Sequence, residues 1–242
     1  MKLLVSPRDV EEAKAVIRGS ADIIDVKIDV KNPKEGSLGA NFPWIIAAIK
    51  ELVEKERGER VKISAAIGDF DYKPGTASLA ALGAAAAGAE YIKVGLFKLK
   101  TSQEAMDLLR GVVKAVKSFD PTKKVVSAFY SDYKRINSIS PFEITEIGKE
   151  VDIDVAMVDT GIKDGRSTLE FLSEEELKTF ISESKALGLE TALAGSLTFA
   201  DIPAIKEINP DILGVRGMVC GGNRADRVRP ELVRELKRMV AE

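Results

Sequence analysis

Eight short runs of mostly β-branched and aliphatic residues recur along this 242-residue chain, and helical segments separate them. The runs are Leu3 to Val5, Ile23 to Lys27, Val61 to Ile67, Tyr91 to Leu96, Val125 to Tyr130, Ile153 to Asp159, Leu189 to Ala194 and Ile212 to Arg216. Alternation of this kind predicts βα units and a parallel sheet. A doubly wound open sheet normally needs fewer strands and a glycine fingerprint after the first, where this chain has Ser6-Pro7-Arg8. Eight units close instead into an α/β fold, a single (β/α)8 TIM barrel over residues 1–242, with no linker to divide it. Ser6 before Pro7, Pro43, and capping boxes at Thr101 to Glu104, Ser140 to Glu143 and Ser173 to Glu176 mark helix starts.

Composition narrows the chemistry. There is no histidine and one cysteine, Cys220, so triads, Cys-His pairs, histidine-ligated zinc and internal disulfides are excluded. Proton transfer falls to Lys, Asp, Glu or Tyr. Net charge is 36 − 38 = −2, which argues against a general nucleic-acid surface and leaves pockets for small anions open. No apolar tract reaches the ~20 residues of a membrane span, and Leu3 to Val5 is too short for a signal peptide. A cytoplasmic protein with no membrane partner is expected. Small residues from Ala77 to Ala89 are suited to close helix packing on the barrel or on another subunit, and a homo-oligomer is expected.

Barrel enzymes place their chemistry at the C-terminal ends of strands. In strand two, a period of two sets Asp25 and Lys27 on one face and Ile24 and Val26 on the other, so the charged pair points into the barrel. An internal ion pair would fill space; two charges held at a cost point more strongly to function. Strand four repeats the pattern with Lys93, either a catalytic amine, a phosphate contact or a partner of Asp25. Strand six ends on Asp159, with Lys163 in the following loop, as acid/base groups or a solvated loop charge. Converging ammonium groups and desolvation lower a lysine pKa and free a neutral amine to attack a carbonyl. Gly195-Ser196 after strand seven and Gly221-Gly222 after strand eight are placed to bind a substrate phosphate through backbone N–H groups, with Arg216 or Arg224 adding charge. Cys220 lacks a base and reads as a small loop or core residue.

Asp25-Val26-Lys27, the segment Asn32-Pro33-Lys34-Glu35-Gly36-Ser37-Leu38-Gly39-Ala40, Lys93-Val94-Gly95, Val158-Asp159-Thr160 with Lys163-Asp164-Gly165, and the closing glycine-rich loop together resemble one family. It is the (5-formylfuran-3-yl)methyl phosphate synthase family of methanofuran biosynthesis, also called 4-(hydroxymethyl)-2-furancarboxaldehyde-phosphate synthase. The resemblance implies a lyase that condenses two glyceraldehyde 3-phosphate molecules into a furan phosphate with loss of phosphate and water; with no histidine and the mouth carboxylates facing lysines, no cofactor or metal is expected. It implies Lys27 as the Schiff-base lysine, with Asp25, Lys93, Asp159 and Lys163 as acid/base and positioning partners. A class I aldolase of another phosphorylated aldehyde, or a non-catalytic sugar-phosphate binder, would use the same residues differently.

Overall fold

The computed structural model describes residues 1–29, 32, 36–57 and 61–241; Pro33, Lys34 and Glu35 of the family segment lie outside the described residues. Eight parallel strands, β1 (Lys2–Val5), β2 (Ile23–Val26), β3 (Lys62–Phe70), β4 (Tyr91–Leu96), β5 (Lys124–Tyr130), β6 (Val155–Asp159), β7 (Glu190–Leu193) and β8 (Ile212–Val215), pair in chain order, and β8 returns to β1 to close the barrel. Around them run α1 (Val10–Arg18), α2 (Pro43–Arg57), α3 (Pro74–Ala86), α4 (Ser102–Phe119), α5 (Tyr133–Ile136), α6 (Ile144–Glu150), α7 (Glu174–Ala186), α8 (Ile202–Ile208) and α9 (Pro230–Ala241). All eight expected strands are present. Among the described residues no helix is long and apolar enough to cross a membrane.

The period of two sorts each strand between two apolar environments. Outward residues such as Ile24, Val26, Ile63, Ile92, Val94 and Val158 are buried against the helices, while Ile23, Tyr91, Val155, Met157 and Ile212 fill the barrel interior. Each outward aliphatic side chain removed from water contributes about 1.5–3 kcal/mol. The small residues of α3, Ala77, Ala81, Ala84 and Ala85, lie buried in the same outer layer and let that helix approach closely.

Helix starts follow their caps, with differences from the sequence reading. Pro43 opens α2, and Ser173 and Glu176 form the complete reciprocal box before α7. Ser6-Pro7 does not start α1; the side chain of Asp9 accepts from Glu12 N at 2.8 Å and the helix begins at Val10. This frees Ser6 for the barrel interior. Thr101 caps α4, but the Glu104 carboxylate accepts from Lys100 N rather than from the cap. Glu143 is bonded by the Ser102 hydroxyl at 2.6 Å, so the Ser140 box is not formed.

In β3 a register shift between Ala66 and Gly68 marks a bulge, and the strand continues to Phe70, past the expected end at Ile67. Bulges re-aim the residues that follow. Here the shift brings Asp69 opposite Gly95 of β4. The layer between barrel and helices carries the fold's stability, so Ile92→Ala, at a fully buried outward position, is expected to cost about 2–5 kcal/mol in urea unfolding. An unchanged midpoint would show that this layer is not the core.

Candidate active site

Inward residues at the C-terminal ends of the even-numbered strands form a column of charge. Asp25 on β2 is fully buried and accepts three bonds: Lys93 Nζ of β4 at 2.6 Å, Ser6 Oγ at 2.9 Å and Ser64 Oγ of β3 at 2.7 Å. Burial alone would raise its carboxyl, but Lys93 and Lys27 outweigh it and hold the group below the ordinary carboxylate value. On β6, Asp159 Oδ1 accepts from Lys163 Nζ at 2.5 Å and from Thr160 N at 2.7 Å. Burial works against ionisation there too, yet Lys163 and Lys27 pull the Asp159 carboxyl far below its usual range. Burial lowers Lys163, against the opposing pull of Asp159.

Among the described residues, Lys27 has no carboxylate in contact. Its Nζ lies 3.5 Å from the Ser37 carbonyl oxygen, and its side chain sits in the barrel mouth between the two ion pairs. Desolvation, reinforced by the Lys93 charge and opposed by Asp159 and Asp25, lowers its pKa from 10.5 to about 7. The amine is therefore substantially neutral near neutral pH, which a lysine in water is not.

A cavity of about 570 Å³ opens over this column. Lys27, Lys93, Asp159 and Lys163 line it together with Gly195, Ser196, Gly221 and Gly222 from the loops after β7 and β8. All the expected site residues thus converge except Asp25, which lies beneath the cavity and reaches it through Lys93. The direct partner of Asp25 is Lys93, not Lys27. Lys163, which could have been a solvated loop charge, has a side chain only 7% exposed.

The glycine loops differ from each other. The N–H groups of Gly221 and Gly222 are both donated to the Gly217 carbonyl, which closes that loop on itself. Among the described residues, those of Gly195 and Ser196 make no bond within the chain, and both residues have left-handed backbone, φ 107° and 51°. Arg216 is committed to Glu12 at 2.9 Å and to the Ser6 carbonyl at 2.7 Å, and Arg224 is bonded to Asp29. Cys220 is buried, and burial raises its thiol.

Three partners escaped the sequence reading: Ser6, Asp69 and Tyr130. Asp69 and Tyr130 are bonded to each other through the Tyr130 hydroxyl. Both occupy C-terminal strand ends, the position that singled out Asp25 and Asp159. For Asp69 the bulge concealed that position; a phenol at a strand end reads as core.

A family model described as 4-HFC-P synthase matches residues 3–237. The chain belongs to this 4-HFC-P synthase family. Its relatives include the (5-formylfuran-3-yl)methyl phosphate synthases of Methanosarcina acetivorans, 60% identical over 98% of this chain and 97% of that one, and of Archaeoglobus fulgidus, 52% identical over 99% of each. Among solved structures, the barrel is similar to 3-hexulose-6-phosphate synthase from Salmonella typhimurium, with a TM-score of 0.64, 17% identity and coverage of 100% and 99%. It is also similar to a Streptococcus mutans protein titled KGPDC, TM-score 0.65, 11% identity, covering 99% and 97%. At such identities the likeness is one of fold. The named relatives are synthases, and their chain length is matched almost end to end.

Breaking the Asp25–Lys93 pair on one side leaves an uncompensated interior charge. Lys93→Met is expected to cost about 3–5 kcal/mol of stability, and adding Asp25→Asn to recover a large part of it. Simple additivity in that double-mutant cycle would mean the pair is not coupled.

Proposed function

We propose that the chain condenses two glyceraldehyde 3-phosphate molecules into 4-(hydroxymethyl)-2-furancarboxaldehyde phosphate, in methanofuran biosynthesis, through an imine on Lys27. The observation that carries this reading is the Lys27 amine, held near pKa 7 in a cavity between two lysine–carboxylate pairs. A neutral, desolvated amine flanked by proton donors and acceptors is what carbonyl addition and dehydration require. Membership of the 4-HFC-P synthase family supports the product.

Lys27 adds to the carbonyl of one triose phosphate, and the carbinolamine loses water to give an iminium. The iminium draws electrons from the adjacent carbon, whose proton passes to the Asp159–Lys163 pair. That pair suits the task because Lys163 bonds both Asp159 and the Thr160 hydroxyl, so a proton gained by one member is shared at once. The resulting enamine expels the phosphate of that triose, leaving an enol whose terminal carbon attacks the carbonyl of the second triose in its isomerised ketose form to make the new carbon–carbon bond, and Lys93 supplies the proton the alkoxide needs. Asp25 stays ionised beneath Lys93 and favours its return to the ammonium form once a proton is regained from water or substrate. Closure of the ketose's terminal hydroxyl onto the neighbouring carbonyl, loss of two waters and hydrolysis of the imine complete the aromatic ring and free Lys27. Two trioses minus one phosphate and two waters leave the six-carbon furan monophosphate, so no oxidant or reductant enters.

A substrate phosphate is assigned to the Gly195-Ser196 turn, whose N–H groups are uncommitted; Gly221 and Gly222 shape the opposite wall, with their own N–H groups turned inward to Gly217. Among the described residues no group of three or more Cys, Asp or Glu is placed to hold a metal ion, and the carboxylates of the column already face ammonium groups.

Incubation with glyceraldehyde 3-phosphate alone is expected to release phosphate in step with an ultraviolet-absorbing furan aldehyde. Borohydride is expected to trap the substrate on Lys27, and Asp159→Asn to lower turnover by about 10²–10⁴-fold. A six-carbon aldol product without phosphate release would make the protein an aldolase of another kind; an adduct on another lysine, with Lys27 free, would overturn the nucleophile.

A further inference from the structure

Asp69 and Tyr130 are not part of the cavity wall, yet the barrel makes room for them at some expense. A Cβ on Gly95 would collide with both the Tyr130 hydroxyl and the Asp69 carboxylate, and one on Gly36, whose φ is 139°, would collide with the same carboxylate. These two glycines leave space for a carboxylate–phenol bond in which Tyr130 is 1% exposed. Loss of hydration raises the Asp69 carboxyl and pushes the Tyr130 hydroxyl well above its usual value.

The carboxylate holds a particular peptide. While Oδ1 takes the Tyr130 hydroxyl, Oδ2 accepts from Ser37 N at 2.7 Å and from Leu38 N at 2.8 Å. Leu38 is fully buried in the interior apolar cluster, and Ile28 N donates to the Gly39 carbonyl at 3.0 Å, so the segment would be tethered to the barrel without Asp69. What the carboxylate adds is orientation of the peptides around Ser37. Among the described residues the Ser37 carbonyl is the acceptor for the Lys27 amine, and the Ser37 side chain acts on the Tyr130 hydroxyl. Apolar packing of Leu38 and the Ile28–Gly39 bond hold the segment but not the plane of the Ser37–Leu38 peptide; pinning at two successive N–H groups fixes that plane.

We infer that Asp69 and Tyr130 are positioning residues that fix the Ser37 carbonyl so that it accepts a hydrogen from Lys27 and leaves the amine lone pair directed at the bound carbonyl carbon. An amine that donates to an acceptor behind it presents its lone pair on the opposite side, and a small rotation of that acceptor misaligns the attack. This deepens the proposed function and rests on Lys27 being the reacting amine.

The test measures capture of glyceraldehyde 3-phosphate on Lys27 with cyanoborohydride present throughout, read by peptide mass as a function of aldehyde concentration. Tyr130→Phe keeps the ring but frees Asp69 Oδ1, so the carboxylate can swing away from the two backbone N–H groups that its Oδ2 alone holds. It is expected to lower the maximal capture rate about tenfold while half-saturation stays within about twofold, because orientation is lost and phosphate binding is not. Asp69→Asn, which sets an amide against two N–H groups, is expected to lose more. A general loosening of the barrel would instead shift half-saturation with the rate and lower the thermal midpoint. Wild-type capture rates in both variants, or half-saturation rising in proportion to the rate lost, would overturn the inference. Absence of any Lys27 adduct in the unmodified protein would overturn the proposed function and this inference together, whereas an adduct that is insensitive to both variants would remove the positioning role alone.

Discussion

The ion pair between Asp25 and Lys93 sits at the centre of the barrel, and the arrangement above it depends on that contact. Two opposite charges 2.6 Å apart, almost wholly removed from water, are stable only if their remaining bonding capacity is filled. Ser6 from the loop after β1 and Ser64 from β3 fill it for the carboxylate. The loop after β1 and strands β3 and β4 therefore converge on the β2 carboxylate before any substrate enters. With Asp25 committed to Lys93, and Asp159 to Lys163, Lys27 is left between neutralised pairs. Its ammonium form has lost hydration without gaining a counter-ion in contact among the described residues, and this is why its pKa falls while two carboxylates lie nearby.

A closed barrel is well suited to such an arrangement. Each strand end is held by two neighbours, and the outward aliphatic residues fix its height against the helices. Charges on alternate strands then meet at a set level without the freedom of loop residues. The loops contribute differently. Glu12 on α1 binds Arg216 from the end of β8, Arg216 in turn holds the Ser6 carbonyl, and the Ser6 hydroxyl reaches Asp25. Through this chain of bonds a helix on the outside of the barrel supports the carboxylate at its centre.

The eight strands and the inward aim of Asp25, Lys27, Lys93 and Asp159 were legible because both follow from one rule, the alternation of side chains along a strand. Where that rule is interrupted, legibility ended. The bulge at Ala66/Gly68 lengthened β3 and turned Asp69 toward Gly95, and no local pattern marks such a shift. The pairing of Asp25 with Lys93 rather than Lys27 depends on the heights of neighbouring strands, which a single strand's sequence does not encode. Ser6-Pro7 has the residue types of a helix start, but Asp9 competes better for the first free N–H groups of α1. Gly221 and Gly222 carry the composition of an anion cradle, while their hydrogen bonding is decided by how the loop folds on Gly217.

The central claim is that buried ion pairs leave Lys27 as a neutral amine near neutral pH. The most direct measurement is an NMR titration of lysine Cε and Nζ resonances in the free protein, with the Lys27 signal assigned by its loss in Lys27→Arg. A midpoint about 7 is expected for that resonance, against about 10.4 for an unperturbed lysine. A Lys27 midpoint above about 10, alongside the solvent-exposed lysines, would contradict the account.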